Sequence, residues 1–97
     1  MTTQTPDYIS VEELSHYQQE SIILLDVRNK ADYLAGHLPN AISIPPNDLS
    51  AEINHMDTDK HYIVICYHGI MAVSVMNFMR AHGLQASVLK GGMAAVI

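Results

Sequence analysis

Two short apolar runs constrain this chain more than any other feature: SIILLDV at residues 21–27 and YIVIC at residues 62–66. Both are rich in β-branched side chains and are apolar at odd and even positions alike. A strand with that pattern has to be covered on both faces, so each run belongs inside a parallel sheet with structure packed above and below it. YIVIC is the stronger of the two signals.

The remaining sequence supplies an alternation of strands and helices around them. Tyr8-Ile9 reads as a short edge strand. Ser10 with Glu13 forms a capping box, which predicts a helix reaching about Gln19. Asn29 caps a short helix over 30–35 that Gly36 stops. A turn at 37–40, shaped by Gly36 and Pro39 and containing His37, leads into a third strand at 41–44, closed by Pro45-Pro46. A weak helix is expected over 48–56, followed by a polar loop at 57–60. After YIVIC a longer helix is expected over 70–82, ended by Gly83, with Met71, Val75, Phe78, Met79 and His82 as its core-facing stripe. A fifth strand at 86–89 and a final helix opened by Gly91-Gly92 complete the order. The fold class is therefore α/β, with a mainly parallel sheet and helices on both faces.

At 97 residues the chain is one domain, near the lower end of what buries a self-sufficient core. Five Lys and Arg against ten Asp and Glu, with no basic cluster, exclude nucleic acid and anionic membranes as expected partners. No apolar run approaches the ~20 residues of a membrane span. The opening MTTQTPDYIS has neither the basic region nor the apolar core of a secretory signal, so a cytoplasmic location is the default expectation. A single Cys excludes an internal disulfide, a Cys-x-x-Cys pair and a Cys-rich zinc site. The six His form no i, i+4 ligand pair, and no metal site is expected.

In open α/β sheets, ligands bind beyond the carboxyl ends of the strands. Two segments bring polar chemistry there: Asp26-Val27-Arg28 and Cys66-Tyr67-His68-Gly69. A glycine-containing loop between a strand and a helix can curl its N–H groups into an anion-binding nest, reinforced by the helix dipole. Such a nest favours thiolate over thiol and would stabilise an anion carried on the sulfur. Gly69 suits it by tolerating positive φ. On spacing alone, however, Cys66 reads first as a small buried hydrophobe closing a core strand. Arg28 has two readings, an attractor of anions at the loop mouth or an ion-pair partner of a carboxylate such as Asp32. Asp26, at a buried strand end, is expected to accept backbone hydrogen bonds. His68 either tunes the sulfur and donates to substrate or points into water.

Three separated segments, taken together, resemble the rhodanese (thiosulfate sulfurtransferase) homology domain. They are DVRNKADYLAGHLPNAISIP at 26–45, CYHG at 66–69 and LKGGMAA at 89–95. Leu38 and Asn40 depart mildly from the family pattern in the first. The resemblance covers nearly the whole chain, residues 1–97, in the family's order. It implies a rhodanese-like three-layer fold with five mainly parallel strands. It also implies Cys66 as the catalytic nucleophile, which takes sulfane sulfur from thiosulfate or a persulfide donor and passes it to a thiol or cyanide, with no cofactor. Tyr67, His68, Gly69, Ile70, Met71 and Arg28 are the implied substrate-binding residues. The implied partner is a small-molecule sulfur donor or a protein persulfide or thiol.

Two departures sharpen this reading. Many members of that family carry Arg five residues after the cysteine, followed by Ser; here Met71 and Ala72 stand there. Without that Arg the loop is apolar and loses a bidentate holder for an anion, which argues against avid thiosulfate binding. Phosphatases of the same fold carry Arg six places after the Cys, where Ala72 cannot bind phosphate. Ile70 and Met71 instead suggest an apolar rim for a protein thiol or a bulky sulfur donor. The same rim also fits a different class, a low-turnover binding or regulatory module that keeps the fold. The last helix looks short for the family, with Val96 where many relatives carry Trp. The sequence leaves the oligomeric state open.

Overall fold

The computed structural model describes residues 5–96; residues 1–4, part of the stretch read for a leader, and Ile97 lie outside the described residues. Among those described, five strands form one sheet: β1 (Tyr8–Ile9), β2 (Ile22–Asp26), β3 (Ile42–Ser43), β4 (His61–Ile65) and β5 (Gln85–Leu89). Their order is β1-β5-β4-β2-β3, and every pairing is parallel. The two apolar runs are thus adjacent, as β2 and β4. Leu25 lies opposite Val64 and Asp26 opposite Ile65, so both chains leave the sheet at the same level. The amide of Val27 extends the ladder by one bond, donating to the Ile65 carbonyl at 2.9 Å.

Strand alternation divides the core in two. Tyr62, Val64 and Cys66 face one side with Leu25 and Val88, under the helices α2 (Pro46–Glu52) and α3 (Met71–Ala81). Ile63 and Ile65 face the other side with Ile9, Leu89 and Met93. Helix α3 buries Ala72, Val75, Met76 and Met79, an i, i+3, i+4, i+7 set. Each large member of such a set contributes roughly 1.5–3 kcal/mol of burial. The expected stripe is therefore rotated: Val75 and Met79 belong to it, Phe78 is half-buried, and Met71 and His82 are exposed. A third helix, α1 (Lys30–Ala35), is capped as expected, Asn29 Oδ1 accepting from the Asp32 amide at 2.8 Å. Gly36 ends it in extended backbone rather than the left-handed cap. None of the residues of α1 is buried.

The second face is covered by 3-10 turns, and the helices expected at 10–19 and after Gly91 are corrected accordingly. The capping box forms reciprocally: the Ser10 amide donates to Glu13 Oε1 at 2.8 Å and the Glu13 amide to Ser10 Oγ at 3.1 Å. That bond holds the Glu13 carboxyl below its usual range. It nevertheless starts only the turns Glu13–His16 and Gln19–Ser21. The apolar residues Val11, Leu14 and Tyr17, all packed on the Ile9–Ile65 cluster, recur every third position. That spacing matches the 3.0 residues per turn of a 3-10 helix, in which i and i+3 eclipse. Met93 and Val96 repeat the pattern around the closing turn Gly92–Ala95. Two other expectations shrink. The β-bridge of the third strand covers only Ile42–Ser43, and the helix over 48–56 becomes α2 followed by a turn, Ile53–His55. The first three residues of β2 are half-buried rather than fully covered.

The amino-terminal segment is fastened at the end of the sheet remote from Cys66. Arg80 donates to the carbonyls of Ala86, Thr5 and Pro6 and pairs with Asp7 at 2.7 Å. Ser87 Oγ bonds the Pro6 carbonyl and contacts His61 Nε2 at 2.8 Å. Since the hydroxyl proton goes to Pro6, the imidazole must be the donor to Ser87, which fixes its neutral tautomer. Half-burial, with the nearby Arg80 charge, lowers the His61 pKa. As pH falls below about 6.5 the unfolded chain takes this proton before the folded one does. The stability linked to His61 should therefore be fully present above about 6.5 and decline as pH drops from there through the lowered folded value. Thermal melts between pH 7.5 and 5 should show that decline, and His61→Gln should flatten it. An unchanged slope in the variant would exclude His61 as its source. No helix of the described residues is long and apolar enough to cross a membrane.

Candidate active site

Cys66 is the first residue beyond β4, and strand alternation turns its side chain to the α3 side of the sheet. Its Sγ accepts the Gly69 amide at 3.1 Å and the Ala72 amide at 3.4 Å. The second donor belongs to the first turn of α3, where backbone N–H groups have no partner within the helix. The sulfur is thus held inside the ring of the loop by two backbone amides, with the residue 4% exposed. Gly69 closes the ring at φ 86°, and a Cβ there would press on Gly91 N and Leu89 O at 3.3 Å. The nest expected from the loop sequence is present, and Cys66 is both a core residue and a sulfur facing oriented donors.

The loop is clamped from behind by the turn after β5. Amides of Met93 and Ala94 donate to the carbonyls of Cys66 and Tyr67 at 2.9 and 2.8 Å. Because C=O and N–H are anti across a trans peptide, fixing those carbonyls turns the Tyr67 and His68 amides to the opposite side of the loop. The approach is close enough to require glycine: at Gly92 (φ 60°) a Cβ would lie 2.3 Å from the Cys66 oxygen and 2.5 Å from the Tyr67 oxygen. Gly92 is the functional residue that sequence reasoning missed. The Gly-Gly pair was visible, but it read as the opening of a helix.

A cleft of about 710 Å³ opens over the loop. Cys66, Tyr67, His68, Ile70 and Met71 line one wall, and Val27, Arg28, Asn29, Asp32 and the segment 45–47 line the other. Three large side chains with apolar surface are exposed in the cleft, Tyr67 at 49%, Ile70 at 79% and Met71 at 41%, beside the exposed polar residues Asn29, Asp32 and Asn47. His68 is exposed and packs edge-on against Tyr67. A second hollow, about 540 Å³, lies on the other side of Tyr67 and shares Arg28 and Asp32 with the first. The structure places Gly69 against the sulfur and the other expected site residues along the cleft, and adds to its lining Asn47 together with Pro45 and Pro46, which had read only as a strand end.

Arg28 is the ion-pair partner of a carboxylate, as one of its two readings had it, but the carboxylate is a different one. Its Nε donates to both carboxylate oxygens of Asp26, at 3.0 and 3.2 Å. Its Nη2 donates to Asp26 Oδ2 at 2.8 Å and to the Gly36 carbonyl at 2.7 Å. The partner is Asp26, two residues back, and not Asp32. Asp26 also accepts the Arg28 amide at 3.1 Å, as expected for a buried strand-end carboxylate. The Asp26 carboxylate raises the Arg28 pKa still further above the physiological range. A guanidinium so held fixes the β2 end to the start of the cleft wall and leaves Nε and Nη2 committed. His37 is a turn residue, its ring stacked on Tyr33 at 3.8 Å.

Comparison with known proteins agrees with this geometry. The model of a family described as Rhodanese-like domain matches residues 10–97. The chain is 30% identical over 76 residues to a putative sulfurtransferase, YtwF, of Bacillus subtilis, covering 78% of this chain and 74% of that protein. It is 27% identical over 90 residues to the thiosulfate sulfurtransferase GlpE of Shewanella oneidensis, covering 91% and 89%. The crystal structure of a rhodanese-related protein from Thermoplasma volcanium superposes with a TM-score of 0.83 at 28% identity, over 93% of this chain and 89% of that one.

Proposed function

Since this chain belongs to the rhodanese-like domain family, we propose that it is a sulfurtransferase that carries sulfane sulfur as a persulfide on Cys66. The observation that carries the reading is the pair of backbone amides, from Gly69 and Ala72, aimed at Sγ at the base of an open cleft. Fixed N–H donors favour negative charge on the sulfur and need no reorganisation when that charge moves. The thiolate attacks the outer sulfur of a donor; the new bond joins that sulfur to Sγ, the donor's own S–S bond breaks, and the rest of the donor (sulfite or a thiolate) leaves with the electron pair. A thiol or cyanide acceptor then attacks the terminal sulfur and releases Cys66. Splitting the transfer into two displacements is nucleophilic catalysis in its usual form, and it calls for no cofactor.

Intact-mass measurement after incubation with thiosulfate or an organic persulfide should show a gain of one sulfur atom, reversed by cyanide. Cys66→Ser should gain none. A folded protein that gains no sulfur from any of several donors would overturn the proposal and leave the binding-module reading.

A further inference from the structure

We infer that the sulfur donor at Cys66 is an organic persulfide with an uncharged, apolar body, and that the cleft discriminates against thiosulfate. This rests on the sulfurtransferase reading and narrows it to a substrate class. Among the described residues that line the cleft, Arg28 carries the one fixed positive charge. Its charge is cancelled at contact distance by the fully buried Asp26, and Nε and Nη2 are bonded to Asp26 and Gly36. Asp32, exposed on the same wall, adds a negative charge. The opposite wall offers Tyr67, Ile70 and Met71, each at least 41% exposed.

The two donors place different charge in this site. With thiosulfate, the Cys66 thiolate and a dianion converge, and the leaving group is sulfite with two negative charges. With R–S–SH, the thiolate attacks the outer sulfur, the S–S bond of the donor breaks, and R–S⁻ leaves while Cys66 keeps –S–SH. One negative charge is present throughout when the donor reacts as R–S–SH and two when it reacts as R–S–S⁻, against three with thiosulfate, and no external oxidant or reductant is involved. The two amides at Sγ can carry a single charge, whereas a departing dianion meets on the cleft walls only a guanidinium already paired with Asp26 and the side-chain donors of Asn29, Asn47 and His68, with the Asp32 carboxylate against it. The body R, in turn, gains contact with the exposed apolar rim, where burial contributes roughly 25 cal/mol per Å².

Rates of Cys66 persulfide formation, read by mass at pH 8, should favour benzyl persulfide over thiosulfate by at least 100-fold in kcat/KM. Met71→Arg, at an exposed position on the rim, should move that ratio toward thiosulfate by at least tenfold, whereas the neutral Met71→Gln should move it less than threefold. Raising salt should accelerate loading by thiosulfate more than loading by benzyl persulfide, because the dianion approaches against more like charge than a persulfide monoanion does. Equal loading of the unmodified protein by both donors, or a ratio unmoved by Met71→Arg, would overturn the inference while the sulfurtransferase reading stands. Loading by neither donor would remove both.

Discussion

Gly92→Ala should abolish persulfide formation at Cys66 and destabilise the domain by about 2–5 kcal/mol. The added methyl group would lie 2.3 Å from the Cys66 oxygen, 2.5 Å from the Tyr67 oxygen and 2.7 Å from the Tyr67 carbonyl carbon. All three are backbone atoms, so no side chain can swing away to admit it. Either the turn after β5 or the cysteine loop must move, and the bonds from Met93 and Ala94 to those carbonyls break. Two lost hydrogen bonds cost about 0.5–1.5 kcal/mol each, and the left-handed backbone adds about 1–2 kcal/mol for alanine. The same movement rotates the peptide planes that orient the loop amides, so loss of the sulfur nest accompanies loss of stability. Gly83→Ala is the control: its φ is 81°, but a Cβ there meets nothing within 4 Å. It should carry the backbone strain alone, lowering the melting temperature by several degrees with sulfur loading retained. Equal behaviour of the two variants in melts and in sulfur loading would show that the clamp is not needed.

How much of this was legible in the sequence follows from where the information resides. β2 and β4 were readable because their apolar runs fix a parallel interior pair whatever surrounds them. The 3-10 turns were misread as helices because a capping box reports only a local start. The spacing of Val11, Leu14 and Tyr17, three rather than three-and-four, held the answer. The Arg28 partner was misassigned because the i, i+4 rule holds within a helix. Arg28 precedes the helix, in the stretch between β2 and the Asn29 cap, where residues two apart fall on the same side. Met71 shares the periodicity of the core stripe but read, with Ile70, as its exception at a rim; as the first residue of α3 it lies at the cleft, beyond the sheet that would bury it. Cys66 was visible as a candidate. Its donors were not, because they are backbone amides that any residue supplies, and only the fold aims them.

The Asp26–Arg28 pair tests how far the site depends on a buried charge. Asp26 is fully buried and the Arg28 side chain is 10% exposed, so the pair is almost removed from water. Removing one partner of such a pair typically costs about 3–5 kcal/mol, because the remaining charge is left uncompensated. Asp26→Asn keeps the shape and one acceptor oxygen but places an NH₂ group against a donor-only guanidinium. Arg28 can relieve part of the cost by turning into the cleft it already lines, so the expected loss is about 2–4 kcal/mol. Denaturant melts should show it, and Arg28→Met added to Asp26→Leu should recover most of it, since well-packed apolar replacements for buried pairs are often neutral. A double-mutant cycle then gives the coupling directly, expected above about 1.5 kcal/mol. The chemistry should shift in parallel. A guanidinium no longer cancelled by Asp26 faces the incoming donor, so folded Asp26→Asn should load thiosulfate better relative to benzyl persulfide than the unmodified protein does. A loss below about 1 kcal/mol would place the pair among ordinary surface ion pairs. An unchanged donor ratio would mean that Arg28, even when released, does not reach the sulfur's path.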